Sequence, residues 1–199
     1  MKRWKKFGDA TVPDGRSGPW TIDTFTISEA EARRYNIFNM RTPFMWIDPG
    51  TYRRLRHDSR GVVMSNTPME VRTNQWAYCQ ARGRVIVNGL GLGMFLEGIL
   101  QKPEVTYVRV IELDEHVIRL VGPHFRKDPR VEIIQGDAYT YCPARGETFD
   151  FAWHDIWDDI NADNLPSMAK LGRKYNKRVA AEQMFWSRDI VRDDVRRNR

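Results

Sequence analysis

The stretch that most limits what this chain can fold into runs from Arg84 to Glu97, RVIVNGLGLGMFLE. Val85, Ile86 and Val87 form a β-branched run, as expected of a strand covered on both faces. Gly89, Gly91 and Gly93 follow at alternate positions, where glycine permits positive φ and lets a ligand approach the backbone. Met94 to Leu100 continues with apolar residues at helix-compatible spacing, and the first turn of such a helix offers N–H groups with no partner inside it. Strand, glycine turn and helix are together the physical recipe for a nucleotide cradle.

The 199 residues suit one α/β domain with small additions. Trp20 to Ile27 alternates well enough to predict a strand. Ser28-Glu29-Ala30-Glu31 has the spacing of a capping box and predicts a helix ending before Pro43. Tyr52 to Arg56 and Gly61 to Ser65 read as two short strands, and Asn74 to Ala81 as a helix. From Gly83 the rhythm is β/α: strands at Val85–Val87, Val105–Glu112, Val131–Ile134 and Phe149–Trp153, with helices Met94–Leu100 and Asp114–Val121, the latter stopped by Gly122-Pro123. That alternation implies a parallel sheet with right-handed crossovers. Beyond Asp155 the pattern reads as helices only, Leu165 to Tyr175 and Val179 to Val195, with no fifth strand. The expected organisation is an N-terminal extension with short strands and a helix (1–82), a Rossmann-like core (83–160) and C-terminal helices (161–199).

Two carboxylates sharpen the cradle. Glu112 closes the second core strand nineteen residues after Gly93, at the sheet edge where ribose hydroxyls are bound in such folds. Gly136-Asp137-Ala138 follows the third strand, and an Asp there can accept from an adenine amino group. A dinucleotide fingerprint needs Gly or Ala three positions after its second glycine, and here that position is Met94. The combination favours an adenosine-bearing ligand without a pyrophosphate, namely S-adenosylmethionine, over NAD.

Residues 83–159, about 40% of the chain, resemble the class I S-adenosylmethionine-dependent methyltransferase superfamily and, within it, the spermidine-synthase-like branch. The resemblance rests on VIVNGLGLG, VIELDEHVI (110–118), DPRVEIIQGDA (128–138) and FDFAWHDIWDD (149–159). Val87 stands where most class I methyltransferases carry an acid, and spermidine synthases likewise carry an apolar residue there. The resemblance implies a truncated class I methyltransferase fold. It also implies a cofactor, S-adenosylmethionine or its decarboxylated form, contacted by Gly89, Gly91, Gly93, Glu112, Asp137 and Ala138. Asp155 and Asp158 would be the catalytic pair, since aminopropyltransferases hold the attacking amine with an Asp at the place of Asp155 and a second near Asp158. Glu70 and Asn74 fall loosely where that family places polar contacts.

The residues after the fourth strand admit alternatives. Clustered carboxylates attract a cationic acceptor and can take or orient the proton of an attacking nitrogen. Asp158 and Asp159 would equally serve as caps of the next helix, His154 as either a base or a packed core side chain, and Trp157 as either stacking surface or pocket roof. The expected activity is transfer from adenosylmethionine, most simply methyl transfer to a small molecule or protein. The alternatives are aminopropyl transfer to a polyamine and a non-catalytic cofactor-binding module. No Asn/Asp-Pro-Pro-Tyr/Phe run or Pro-Cys pair supports nucleic-acid base methylation, and Cys79 and Cys142 are too few for a metal site. The net charge of +6 sits largely at the termini, interrupted by Asp189, Asp193 and Asp194, and reads as solvated surface rather than a nucleic-acid face. No apolar run reaches the ~18 residues of a membrane span. The expected setting is cytoplasmic, with the two thiols reduced and with the C-terminal helices available for homo-oligomerisation.

Overall fold

The computed structural model describes Gly8 and residues 10–197; the basic stretch Lys2 to Lys6 and the terminal Arg199 lie outside the described residues. Two sheets carry the fold. The first is antiparallel, β1 (Gly15–Ser17), β2 (Trp20–Ile27), β3 (Gly50–His57) and β4 (Gly61–Ser65), paired in chain order. The second is parallel, built from β5 (Gly83–Asn88), β6 (Val105–Glu112), β7 (Val131–Gln135), β8 (Phe149–His154) and β9 (Val179–Phe185), in the order β7-β6-β5-β8-β9. The chain therefore works outward from β5 in one direction and then returns to build the other side. That reversal leaves a crevice at the carboxyl ends of β5 and β8, the place where open α/β sheets bind ligands.

Strict alternation along β5 buries both faces of the parallel sheet. Val85 and Val87 point into one apolar cluster and Ile86 into another. The first cluster joins β5 to Trp20 and Ile22 of β2 and Leu55 of β3, so the antiparallel sheet is packed onto the parallel one. The second lies under α5 (Leu165–Tyr175), through Met168, Leu171 and Tyr175. Each such aliphatic side chain removed from water contributes roughly 1.5–3 kcal/mol before entropy is counted.

Among the helices, α1 (Glu29–Phe38) starts at the expected capping box: Ser28 Oγ accepts from the Glu31 N–H at 3.3 Å and the Glu31 carboxylate accepts from the Ser28 N–H at 2.8 Å. The helix α2 (Pro68–Gln80) begins six residues before the expected Asn74, with Pro68 in the first turn, where its missing N–H costs nothing. The first crossover helix, α3 (Met94–Leu100), follows the glycine turn. The next, α4 (Glu115–Phe125), is capped by the Asp114 side chain and runs through Pro123 rather than stopping before it. Pro123 lies in the last turn, where it removes one hydrogen bond, and buried Phe125 holds that turn on the core.

The C-terminal third departs most from expectation. The span expected to be helical from Val179 to Val195 is instead strand β9 followed by α6 (Arg188–Arg197), and β9 pairs in parallel with β8 from Phe149↔Val179 to His154↔Phe185. The run VAAEQMF is rich in helix formers, and pairing along β8 overrides that preference.

Candidate functional site

A cavity of about 430 Å³ opens at the crevice where the strand order reverses. That volume falls in the range of small-molecule sites. Its floor is the glycine turn after β5, with Gly89, Leu90 and Gly91 on its lining. Gly89 has φ 97°, and a Cβ built on it would stand 1.9 Å from the carbonyl oxygen of Asp155. Only glycine lets the turn pass so close to the chain leaving β8. Gly93 plays another part: at φ 73° it precedes α3, and a Cβ there would lie 2.3 Å from the Phe125 ring, so it sets the packing of α3 against α4.

Glu112, at the end of β6, lines the cavity with one carboxylate oxygen accepting from the Leu90 N–H at 2.7 Å and the other from the Asp114 N–H at 2.9 Å. These bonds aim the carboxylate and tie it to the glycine turn, while its further lone pairs stay open. Burial raises its carboxyl above the ordinary range despite those donors. Asp137 sits just after β7; Oδ1 accepts from the Tyr139 N–H at 2.8 Å, which leaves Oδ2 without a partner among the described residues. Ala138 and Tyr139 line the wall beside it. The lining thus brings together Gly89, Gly91, Glu112, Asp137, Ala138, Asp155 and Asp158.

The acidic side of the cavity contains one carboxylate that the family resemblance pointed to only loosely. Glu70, on α2, is buried and lines the same space as Asp155. Burial and then the charge of Asp155 push the Glu70 carboxyl up to about 8. Burial, with Asp158 and Glu112 adding to it, pushes Asp155 up to about 7. Both groups therefore exchange protons near neutrality, where a proton acceptor is most useful. Asn74, one turn further along α2, donates to the Glu70 carbonyl at 2.9 Å, and its Oδ1 is buried without a partner.

The alternatives left open by the sequence divide. Asp158 caps no helix; it is ion-paired with Arg60, from the turn between β3 and β4, at 2.8 Å. Asp159 is tied locally, its side chain accepting from Asn164 at 3.1 Å, and Asn161 caps the following turn. His154 is a core residue: Asn88 Nδ2 lies 2.7 Å from Nδ1, Gln183 Oε1 lies 3.2 Å from Nε2, and burial lowers its pKa to about 3. Trp157 lines the cavity while its indole N–H donates to Ser167 Oγ at 2.9 Å.

The sequence reading missed the roof. Trp20 of β2 donates its indole N–H to Asp114 at 2.7 Å, Arg60 lies over the Trp20 ring at 4.7 Å, and Met64 of β4 accepts from the Leu92 N–H through its sulfur at 3.3 Å. All three line the cavity. No local pattern announces them, because they arrive by the docking of one sheet on the other.

No protein-family model matches the chain. The chain is similar to a polyamine aminopropyltransferase of Aeropyrum pernix, 30% identical over 87 residues, which are 40% of this chain and 28% of that protein. It is also similar to polyamine aminopropyltransferase 2 of Caldanaerobacter subterraneus subsp. tengcongensis, 32% identical over 83 residues, 39% of this chain and 28% of that protein. The matches thus span under a third of these relatives' length. Among solved structures, the chain is similar to the N-methyltransferase NodS of Bradyrhizobium japonicum WM9, with TM-score 0.44 and 15% identity over 57% of this chain and 67% of that one. It is likewise similar to the protein of a DhpI-SAM-HEP complex, with TM-score 0.45 and 17% identity over 78% and 60% of the two chains.

Proposed function

We propose that this cavity binds an adenosyl sulfonium cofactor, S-adenosylmethionine or its decarboxylated form, and that the protein is a transferase using it. The observation that carries the reading is the convergence of Glu112, Asp137 and the Gly89–Gly91 turn on one cavity at the strand reversal. Glu112 would accept from the ribose hydroxyls, Asp137 Oδ2 from the adenine amino group, and Ala138 would leave room for the ring. The aminopropyltransferase relatives support the adenosine assignment over a dinucleotide, as does Met94 in the sequence.

When bound, such a cofactor supplies an electrophilic carbon on sulfur. The chain's own task would then be to align an acceptor and manage its proton. Asp155 and Glu70, titrating near neutrality, would take the proton that the acceptor loses, and Asp158 would orient it. The simplest reaction is methyl transfer to a small molecule or protein. Aminopropyl transfer to a polyamine is the second reading, favoured by three carboxylates on one wall and by the names of the relatives. A cationic acceptor placed against Glu70 and Asp155 would favour their charged forms and be held by them.

Thermal melting in the presence of S-adenosylmethionine, S-adenosylhomocysteine, decarboxylated S-adenosylmethionine and NADH tests the reading, because a ligand bound to the native state alone raises the midpoint. The expected result is a rise with at least one of the first three and none with NADH. A rise with NADH alone would overturn the assignment. A rise with the decarboxylated compound only would select aminopropyl transfer.

A further inference from the structure

A second cleft, about 520 Å³, lies between α5, β9 and α6, and its walls carry Arg173, Arg188 and Arg192 with Asn176 and Gln183. Phe185 of β9 lines it, and Trp157 of the first cavity packs against that ring at 6.2 Å, so an aromatic wall separates the two spaces.

Several partly buried guanidinium groups elsewhere in the chain are held by carboxylates, and Arg178 is held by the Ala144 and Glu147 carbonyls. Arg109 is held by Glu132 and Glu147, Arg130 by Asp128, and Arg54 and Arg56 by Asp23. In this cleft the partly buried guanidinium is Arg188, with the exposed Arg173 and Arg192 beside it. Arg173 and Arg192 meet no carboxylate among the described residues. Arg188 has only Asp189 Oδ1, 3.7 Å from its Nε, beyond hydrogen-bond reach, and that Nε is buried with no acceptor. Its guanidinium is nonetheless held in place, 4.5 Å over the Phe185 ring. Asp189 and the exposed Glu182 act on Arg188 from one side and Arg192 from the other, while Asp193 is turned to Arg196 at 3.6 Å. The three guanidinium groups outnumber the acids that face them, and an anion between them would be attracted by all three. Planar guanidinium forks match phosphate oxygens in pairs. Gln183 and Asn176 are bonded to each other at 2.9 Å and form a fixed polar floor.

We infer that the cleft formed by Arg173, Arg188 and Arg192 is a binding site for a small phosphate-bearing anion, distinct from the adenosyl cavity. The cleft is open to solvent at Arg173 and Arg192, so either a free phosphate or the phosphate end of a small ester fits the same chemistry.

Titration calorimetry at low ionic strength, where screening is weak, tests this with inorganic pyrophosphate, orthophosphate, glycerol 3-phosphate and citrate as probes, each against sodium chloride of matched ionic strength. The expected result is binding of one pyrophosphate per chain, and loss of at least tenfold in affinity in the Arg173→Ala/Arg192→Ala double variant. That variant should keep the wild-type melting shift with adenosyl ligands, because neither residue lines the first cavity. Glycerol 3-phosphate binding as well as orthophosphate would identify an ester source, and orthophosphate binding alone a free one. Citrate binding as tightly as pyrophosphate, affinity unchanged in the double variant, or no heat beyond chloride with any phosphate would overturn the assignment. The wild-type melting shift with adenosyl ligands reads the first cavity separately.

Discussion

Glu112 and Glu70 are both carboxylates on the wall of one cavity, and their surroundings give them different work. Glu112 is fixed by two backbone N–H donors and, in the proposed reading, would accept from the ligand. Replacing it with Ala should weaken binding of S-adenosylhomocysteine by about 1–3 kcal/mol, the scale of hydrogen bonds to a charged group. Unchanged affinity by calorimetry would remove Glu112 from the site. Glu70 has the opposite problem of too little compensation. Its carboxyl titrates near 4.5 in the unfolded chain and at about 8 in the fold. Between those values the folded protein holds a proton that the unfolded chain has released, so stability falls as pH rises and levels off above about 8. Asp155 adds a parallel decline up to about 7. His154, lowered from 6.5 to about 3 by burial, acts the other way below about 6.5, so the melting midpoint should drop most clearly from pH 6.5 to pH 8, and Glu70→Gln should flatten part of that drop; equal slopes in wild type and variant would refute the assignment. Glu112 and Asp137 were legible in the sequence because strand ends and glycine spacing are local signals. Arg60 and Trp20 were not, since their place at the mouth depends on a docking that no local pattern encodes.

At the scale of elements, β5 and β9 show why some strands can be read and others cannot. The Val85–Val87 run of β5 fills two apolar clusters at once, and only a doubly covered strand needs such a run. The strand β9 has exposed Ala180, Ala181 and Glu182 at its start and buried Met184 and Phe185 at its end. Its strand character comes from β8 beside it. What secures that side of the sheet is a polar chain through the interior: the Tyr175 hydroxyl lies 3.2 Å from Asn88 Oδ1 and 3.2 Å from the Ala138 carbonyl, Asn88 meets His154, and His154 meets Gln183 of β9. Tyr175 is fully buried, so Tyr175→Phe strands an acceptor away from water. The expected loss is about 1–3 kcal/mol, measured by urea unfolding with an unchanged slope. A variant as stable as wild type would show that the network is spectator to β9.

For the molecule as a whole, the parallel sheet and its reversal point follow from β/α alternation and right-handed crossovers, and the first four core strands were predictable from residues alone. The relation between the two sheets was not, although their contact supplies the roof of the cavity. Arg60 reaches across from the antiparallel sheet to Asp158 on the far side of the mouth, and Trp20 reaches Asp114. A ligand bound beneath them touches walls contributed by both sheets, so its binding energy is shared with the contact that holds the sheets together. By linkage, what favours the occupied cavity must also favour the docked arrangement. Amide hydrogen exchange along β2, β3 and β4 should slow when S-adenosylhomocysteine is added, although those strands lie far along the chain from the glycine turn. Exchange slowed only around β5 and β6 would mean that the antiparallel sheet is docked too firmly to register occupancy. With the linkage in place, the N-terminal sheet becomes a reporter of the site, and its stability against local opening becomes a measure of how tightly the site is filled.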